Sequence, residues 1–481
     1  MSSSREAWQQ QLQQARLERD LRSVAASCDA LLASGQAEDP DRRRQWQQER
    51  LTARISLADP QAEACLAAMP LSSAEDHARR CLMAMRLAQR RYRFAIARAL
   101  VAPLLQCGDD EALFPLQREG LRLAQQLALM DSDLEEARRL GGQLSALHQR
   151  QEDPARRREA GAEPWRQWRL EIGASSGAAR LARTSLQQPT ARTLEALVSG
   201  LEQEPQATAL AFALLLHLRR SGRFASVPEA PQPAAAAEPG ATSTPGAIPP
   251  RLWLLRRHGR DSPELEMRLQ RWQALHPGWS AAWIDHQPEA IEAQQALPEL
   301  VRQACLGVNE PAIRGDLLRL AQLWQHGGVA VDWCQQPLQG LSPLLEGKEL
   351  VLVQDPYGSI GSELIAATPR HPFVAEALRL ACRNVLEGQG YSRWDLSGAC
   401  LLSGVLARQL RSPLQREGRL PSTLRVLSAA ELLLWLGHGA SEPPPPDISE
   451  SPVSTPLNRR HCDRVRRQWG QHWPALEEGG G

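Results

Sequence analysis

The chain has 481 residues, of which 42% are apolar, 23% charged and 5% aromatic. That is ample for a large core, and at about 150 residues per domain it suggests two or three domains. With 56 basic against 55 acidic residues the net charge is +1, which excludes a nucleic-acid coat, an acidic tail and a strongly steered polyelectrolyte binder.

Residues 1–225 predict helix throughout, because Leu, Ala, Gln, Arg and Glu dominate and strand formers are scarce. Breaks near 38–40, 59–60, 70–73, 108–110, 131–133 and 152–154 suggest helical hairpins. Their spacing fits either an irregular repeat array resembling tetratricopeptide units or an ordinary helical domain. Residues 226–250 hold seven prolines and four consecutive alanines, the composition of a linker. Residues 251–440 alternate β-like runs (252–255, 281–284, 328–333, 349–353, 364–366, 423–427) with helical ones (263–275, 311–326, 372–386, 399–409). This alternation predicts an α/β layer on a mostly parallel sheet. A second proline-rich insert covers 441–456, and a basic segment, 457–481, closes the chain.

Nine cysteines, an odd number with no CxxC, argue against a disulfide framework or a structural zinc site and point to a reducing compartment. Lys348 is the only lysine, so lysine-based covalent chemistry would have to rest on it. The N-terminus MSSSREAWQQQ has no apolar stretch of the signal-peptide kind. The longest apolar run, ALAFALLLHL at 209–218, is too short for a bilayer core of about 30 Å. The expectation is a soluble, cytoplasmic protein, with peripheral membrane contact left open.

The chemistry concentrates in 311–334, PAIRGDLLRLAQLWQHGGVAVDWC. Ile313, Leu317, Leu320 and Trp324 form one apolar helical stripe. Gly327 and Gly328 suit its end, and Val329–Val331 predict a buried strand that delivers Asp332. A carboxylate at the C-terminal end of such a strand lies where open α/β sheets bind ligands. Asp316 and Arg319, three apart, could also be a plain helix-surface ion pair. Asp332 could be only a turn residue, and Trp253 only core.

The segment resembles the DxD-containing sugar transferases of glycosyltransferase family 32, which include initiating mannosyltransferases, capsular-polysaccharide transferases and, more remotely, glucosylating toxins. Their core, A-x-x-S-D-x-x-R followed by L-Y-x-x-G-G-x-Y-x-D-x-D, is similar to Ala312–Arg319 and Leu323–Cys334 here. Flanking pieces fall in the same order. They are Arg251-Leu252-Trp253, the run WQALHPGWSAAWID at 272–285, LIAATPRHPF at 364–373, Ser397-Gly398-Ala399, His461 and the pair His472-Trp473. The resemblance spans about 251–475 without the second insert and leaves the N-terminal half without a counterpart.

The resemblance implies a GT-A-type, single-Rossmann-like nucleotide-sugar transferase fold, preceded by the all-α domain. It implies transfer of a hexose from a UDP- or GDP-sugar, with retention, to a hydroxyl on a glycan, lipid or protein acceptor, and no nucleic-acid partner. By resemblance Asp332 and Asp316 are catalytic, and Arg319, Trp253, Ser362, His461 and Trp473 bind the donor. Asp332 would also bind Mn²⁺ or Mg²⁺, hard ions that prefer oxygen ligands. Cys334 replaces the second Asp of DxD, Ala330 replaces the usual Tyr, and Ser362 stands where Asn is common. A thiol is a poor ligand for these ions. Asp355 or Asp395 could supply the missing carboxylate, or arginine could hold the phosphates without metal. The alternative is a catalytically inactive transferase fold that serves as a scaffold through its helical half.

Overall fold

The computed structural model describes residues 2–34, 39–69, 71–108, 110–149, 176–224, 246–255, 263–294, 296–332, 335–390, 392–438 and 457–469. The protein is mostly helical, with one mixed six-stranded sheet in its C-terminal half.

Consecutive N-terminal helices pack as hairpins, among them Ser2–Glu18 on Leu21–Ala33 and Phe114–Met130 on Leu134–Gln149. Among the described residues of the N-terminal half, five helix ends close alike. Arg19, Ala58, Tyr92, Ser132 and Gly222 take left-handed backbone conformations. In each case the next residue's N–H returns to a carbonyl five positions back: Asp20 to Ala15, Asp59 to Arg54, Arg93 to Ala88, Asp133 to Ala128 and Arg223 to Leu218, at 2.8–3.0 Å. This is the Schellman closure, which satisfies helix-end carbonyls and turns the chain sharply. Glycine normally takes the left-handed position, but four of these five are not glycine. The hairpins therefore recur in the backbone, at uneven spacing, without a recurring residue.

The helix Thr208–Arg220 joins the two halves. Ala209–Leu218 are all buried in it. It packs on Ser176–Gln187 and Ala191–Gln203 on one side and on Ala399–Glu417 on the other. One apolar core runs from Ala78 through this helix to Val465. Polar contacts reinforce it: the Tyr92 hydroxyl donates to the Gln354 carbonyl at 3.0 Å, and Arg219 donates to Gln354 Oε1 at 2.8 Å and to the Val426 carbonyl at 2.9 Å. The apolar run 209–218, too short for a bilayer core, is core of the protein. Among the described residues no helix is long and apolar enough to cross a membrane. Most of the 226–250 stretch lies outside the described residues, but the parts before and after it share this core.

The sheet has the order β2-β1-β3-β6-β5-β7, with β1 Arg251–Leu255, β2 Ser280–Ile284, β3 Gly328–Val331, β5 Leu350–Gln354, β6 Ile360–Ala367 and β7 Leu424–Ser428. β4 (Gln335–Pro337) and β8 (Leu436–His438) form a separate antiparallel pair. β1 is parallel to β2 and β3, and β5 to β7, whereas β6 runs antiparallel to β3 and β5. The sheet is therefore mixed, and the expected 364–366 strand is the end of a longer one. Alternation sorts the side chains. Leu252, Leu254, Val329, Val331, Leu364 and Ala366 face a core with Trp272 and Trp435. Leu255, Ala330, Ile365 and Ala367 face the helices Pro311–His326 and Pro372–Glu387.

Candidate functional site

Asp332 is one step beyond Val331, so alternation turns it toward the helix Pro311–His326. That helix is buried on more than its apolar stripe. Asp316 is 2% and Arg319 1% exposed, against 24% for the Asp332 side chain. Arg319 donates from Nη2 to Asp332 Oδ1 at 3.1 Å and from Nη1 to the Ser362 carbonyl. It thereby ties the end of β3 to β6.

Asp316 and Arg319 are not a surface pair. They stand 4.0 Å apart, and the main partner of Asp316 is Arg393. Arg393 donates from Nε to Oδ2 at 2.8 Å and from Nη2 to Oδ1 at 2.9 Å, a two-pronged pairing, and Ser397 Oγ adds a third bond at 3.0 Å. Arg393 also reaches Ser362 Oγ at 3.3 Å and remains about a third exposed. Its short helix, Arg393–Leu396, packs on the Pro311 helix. Sequence reasoning missed Arg393, which sits in a four-residue helix too short to show a period, although it singled out Ser397-Gly398-Ala399 close by.

Glu363 was also missed. It lies opposite Asp332 across the β3–β6 ladder, one step past the Val331–Leu364 pair, and its carbonyl accepts the Asp332 N–H at 3.3 Å. Directly opposed residues in an antiparallel pair share a face. The ladder to β5 is irregular here: Val351 pairs with Ala366 but Val353 with Gly361, so β6 carries three extra residues between Gly361 and Ala366, the stretch that holds Ser362 and Glu363. The Glu363 carboxyl folds back on Gly361, where any Cβ would overlap it. Its Oε2 is buried without a hydrogen-bond partner, and so is Arg319 Nε. Burial first, then the Asp355 charge, pushes the Glu363 carboxyl up to about 7; Asp332 adds to the rise and Arg319 opposes it. A lone carboxylate in the apolar run SIGSELIAA was the available signal.

Asp355 and Asp395 do other work. Asp355 caps the β5–β6 turn, accepting from the Tyr357 and Ser359 N–H groups at 2.8 and 3.0 Å. Burial pushes it up to about 6 against the Ser359 and Tyr357 hydrogen bonds. Asp395 accepts from Ser392 N and Oγ, both at 2.9 Å, in a capping box.

The remaining candidates lie apart. The Trp253 indole donates to the Gly327 carbonyl at 2.9 Å and packs against His326. That is the start of β3, the end opposite Asp332, so Trp253 does not join the cluster. Gly327 and Gly328, both left-handed, end the helix in a space where a Cβ would meet Pro369 or the Arg251 carbonyl. His371 caps the Pro372–Glu387 helix through Nδ1. Lys348 donates to the Ser422 carbonyl beside the start of β5. His461 Nε2 lies 3.0 Å from the Gln303 carbonyl, so it is engaged with helix Glu299–Leu306 rather than with Asp332. Cys334 and Trp473 lie outside the described residues.

These side chains do not fit a divalent ion as they stand. Asp332 Oδ1 is occupied by a guanidinium, Glu363 is turned onto Gly361, and among the described residues no group of three or more His, Cys, Asp or Glu could hold a metal ion.

No family model and no curated protein matches the chain. A solved structure described as PaToxG Glycosyltransferase superposes with a TM-score of 0.29 at 16% identity, over 36% of this chain and 73% of that one.

Proposed function

We propose that the chain transfers a hexose from a UDP- or GDP-sugar to a hydroxyl acceptor on a GT-A-type α/β domain, with retention of configuration. The observation that carries this reading is Asp332, part-exposed at the C-terminal end of a central strand and oriented by the buried Arg319. An oriented carboxylate accepts hydrogen bonds from donor-sugar hydroxyls. Negative charge grows on the leaving diphosphate, and guanidinium groups match phosphate geometry. Arg319 is too deep to touch it; Arg393, about a third exposed, is the arginine of the cluster placed to do so. As the acceptor oxygen bonds the anomeric carbon and the diphosphate leaves, the hydroxyl proton needs a base. Glu363, across from Asp332 and raised to about 7 by burial, is the base of this reading, its side chain turning off Gly361 to reach the acceptor. Incubating the chain with UDP- and GDP-hexoses tests the reading. Release of nucleoside diphosphate that is lost in Asp332→Asn is expected. Equal release by parent and variant, or none from any donor, would overturn it.

A second reading, a non-catalytic scaffold, is favoured by the internal matching of Asp316 with Arg393 and Ser397. It predicts no release from any donor.

A further inference from the structure

The helix Arg459–Trp469 carries five arginines and one aspartate in a chain whose net charge is +1. It is not a loose basic tail. Leu457, Cys462 and Val465 are buried, the Asn458 N–H donates to the Gly307 carbonyl at 2.6 Å, and Leu457 bridges to Val308. His461 holds the Gln303 carbonyl. The helix packs on Glu299–Leu306 and Pro372–Glu387.

At 100° per residue the exposed Arg460, Arg464 and Arg467 fall opposite the buried Cys462 and Val465, with the exposed Arg459 and Asp463 on the flank between. The basic residues beside them are already matched: Arg466 with Asp463, Arg383 with Glu387, and Arg302 with Glu299. Among the described residues no salt bridge involves the other four. The result is an array of four exposed guanidinium groups along roughly 12 Å of helix.

We infer that this face docks on an anionic lipid surface. A general nucleic-acid binder carries a strong overall positive charge, whereas this chain is near neutral and its unmatched arginines form one local patch. Such a patch suits a charged surface, and guanidinium groups match lipid phosphates. The Gly307–Val308 anchor immediately precedes the helix that carries Asp316 and Arg319, so the docking helix is tied to the segment that leads into the site. This goes beyond the transferase reading and does not depend on it.

The test is cosedimentation of the full chain with vesicles of phosphatidylcholine alone or with phosphatidylglycerol. Binding to the anionic vesicles only, weakening as salt rises, is expected. Each arginine near such a surface contributes about fivefold, so the triple variant Arg460→Gln, Arg464→Gln, Arg467→Gln should lose about 100-fold. A charge-matched control, Arg42→Gln, Arg43→Gln, Arg44→Gln on the exposed start of an N-terminal helix, should bind as the parent does. Equal loss in both triple variants, equal binding to neutral vesicles, no binding to either vesicle, or tighter binding to duplex DNA or RNA at the same salt would overturn the inference.

Discussion

Asp316→Asn keeps the shape of the side chain and removes its charge. The parent carboxylate is 2% exposed and accepts three hydrogen bonds, at 2.8, 2.9 and 3.0 Å. Breaking a buried ion pair from one side costs about 3–5 kcal/mol. Arg393 recovers part of this by turning to water, since it is about a third exposed, whereas Arg319 cannot. The net loss is then about 2–4 kcal/mol. At roughly 2.1 cal/mol/K of unfolding entropy per residue, a chain of this length melting as one unit should lose about 2–4 °C in Tm. Scanning calorimetry measures this directly. Adding Arg393→Gln to each background should give a coupling of about 2 kcal/mol. An unchanged Tm, or strictly additive losses, would refute the claim that Asp316 and Arg393 form the buried strut of the site.

Three further outcomes follow from the same geometry. Glu363 is raised to about 7, so its contribution to stability is present below the ordinary carboxylate range and is lost as pH rises toward 7. Glu363→Gln should therefore melt higher than the parent at pH 8 and close to it near pH 4.5; a variant less stable at both would contradict the assignment. Tyr92→Phe removes the bond to the Gln354 carbonyl that joins the two halves and should cost about 1–2 kcal/mol in a melt; no loss would show that the contact is incidental. Gly358→Ala forces a Cβ into Leu216 at a backbone φ of +94°, and should cost about 2–4 kcal/mol with faster proteolysis; parental stability would show that the helix 208–220 does not seat on this hairpin.

The helices around the site were legible in the sequence because apolar period, proline and glycine agree there. Helices 263–275 and 311–326 fall where the pattern placed them. β6 was misread because its polar Ser362 and Glu363 break the apolar run, and a bulge lets them do so. The helical hairpins could not be aligned by sequence because arginine, alanine, tyrosine and serine replace glycine at their closures. Within the site, Asp332, Asp316, Arg319 and Ser362, which only the family resemblance had linked, lie in one hydrogen-bonded cluster. Glu363 and Arg393 enter only through cross-strand register and a tertiary turn, neither of which leaves a local pattern. Trp253 carries a hydrogen-bonding indole whose direction its position in β1 does not reveal.

The most direct measurement is calorimetric titration of the purified chain with UDP, GDP and their hexose conjugates, with and without Mn²⁺, beside Asp332→Ala and Arg393→Gln. The account predicts nucleotide-sugar binding that persists without the cation, falls in Arg393→Gln through loss of the diphosphate contact, and falls in Asp332→Ala for the sugar conjugates more than for the bare nucleotides. Binding that is indifferent to both substitutions, or absent for every ligand, would contradict a donor site at the end of β3.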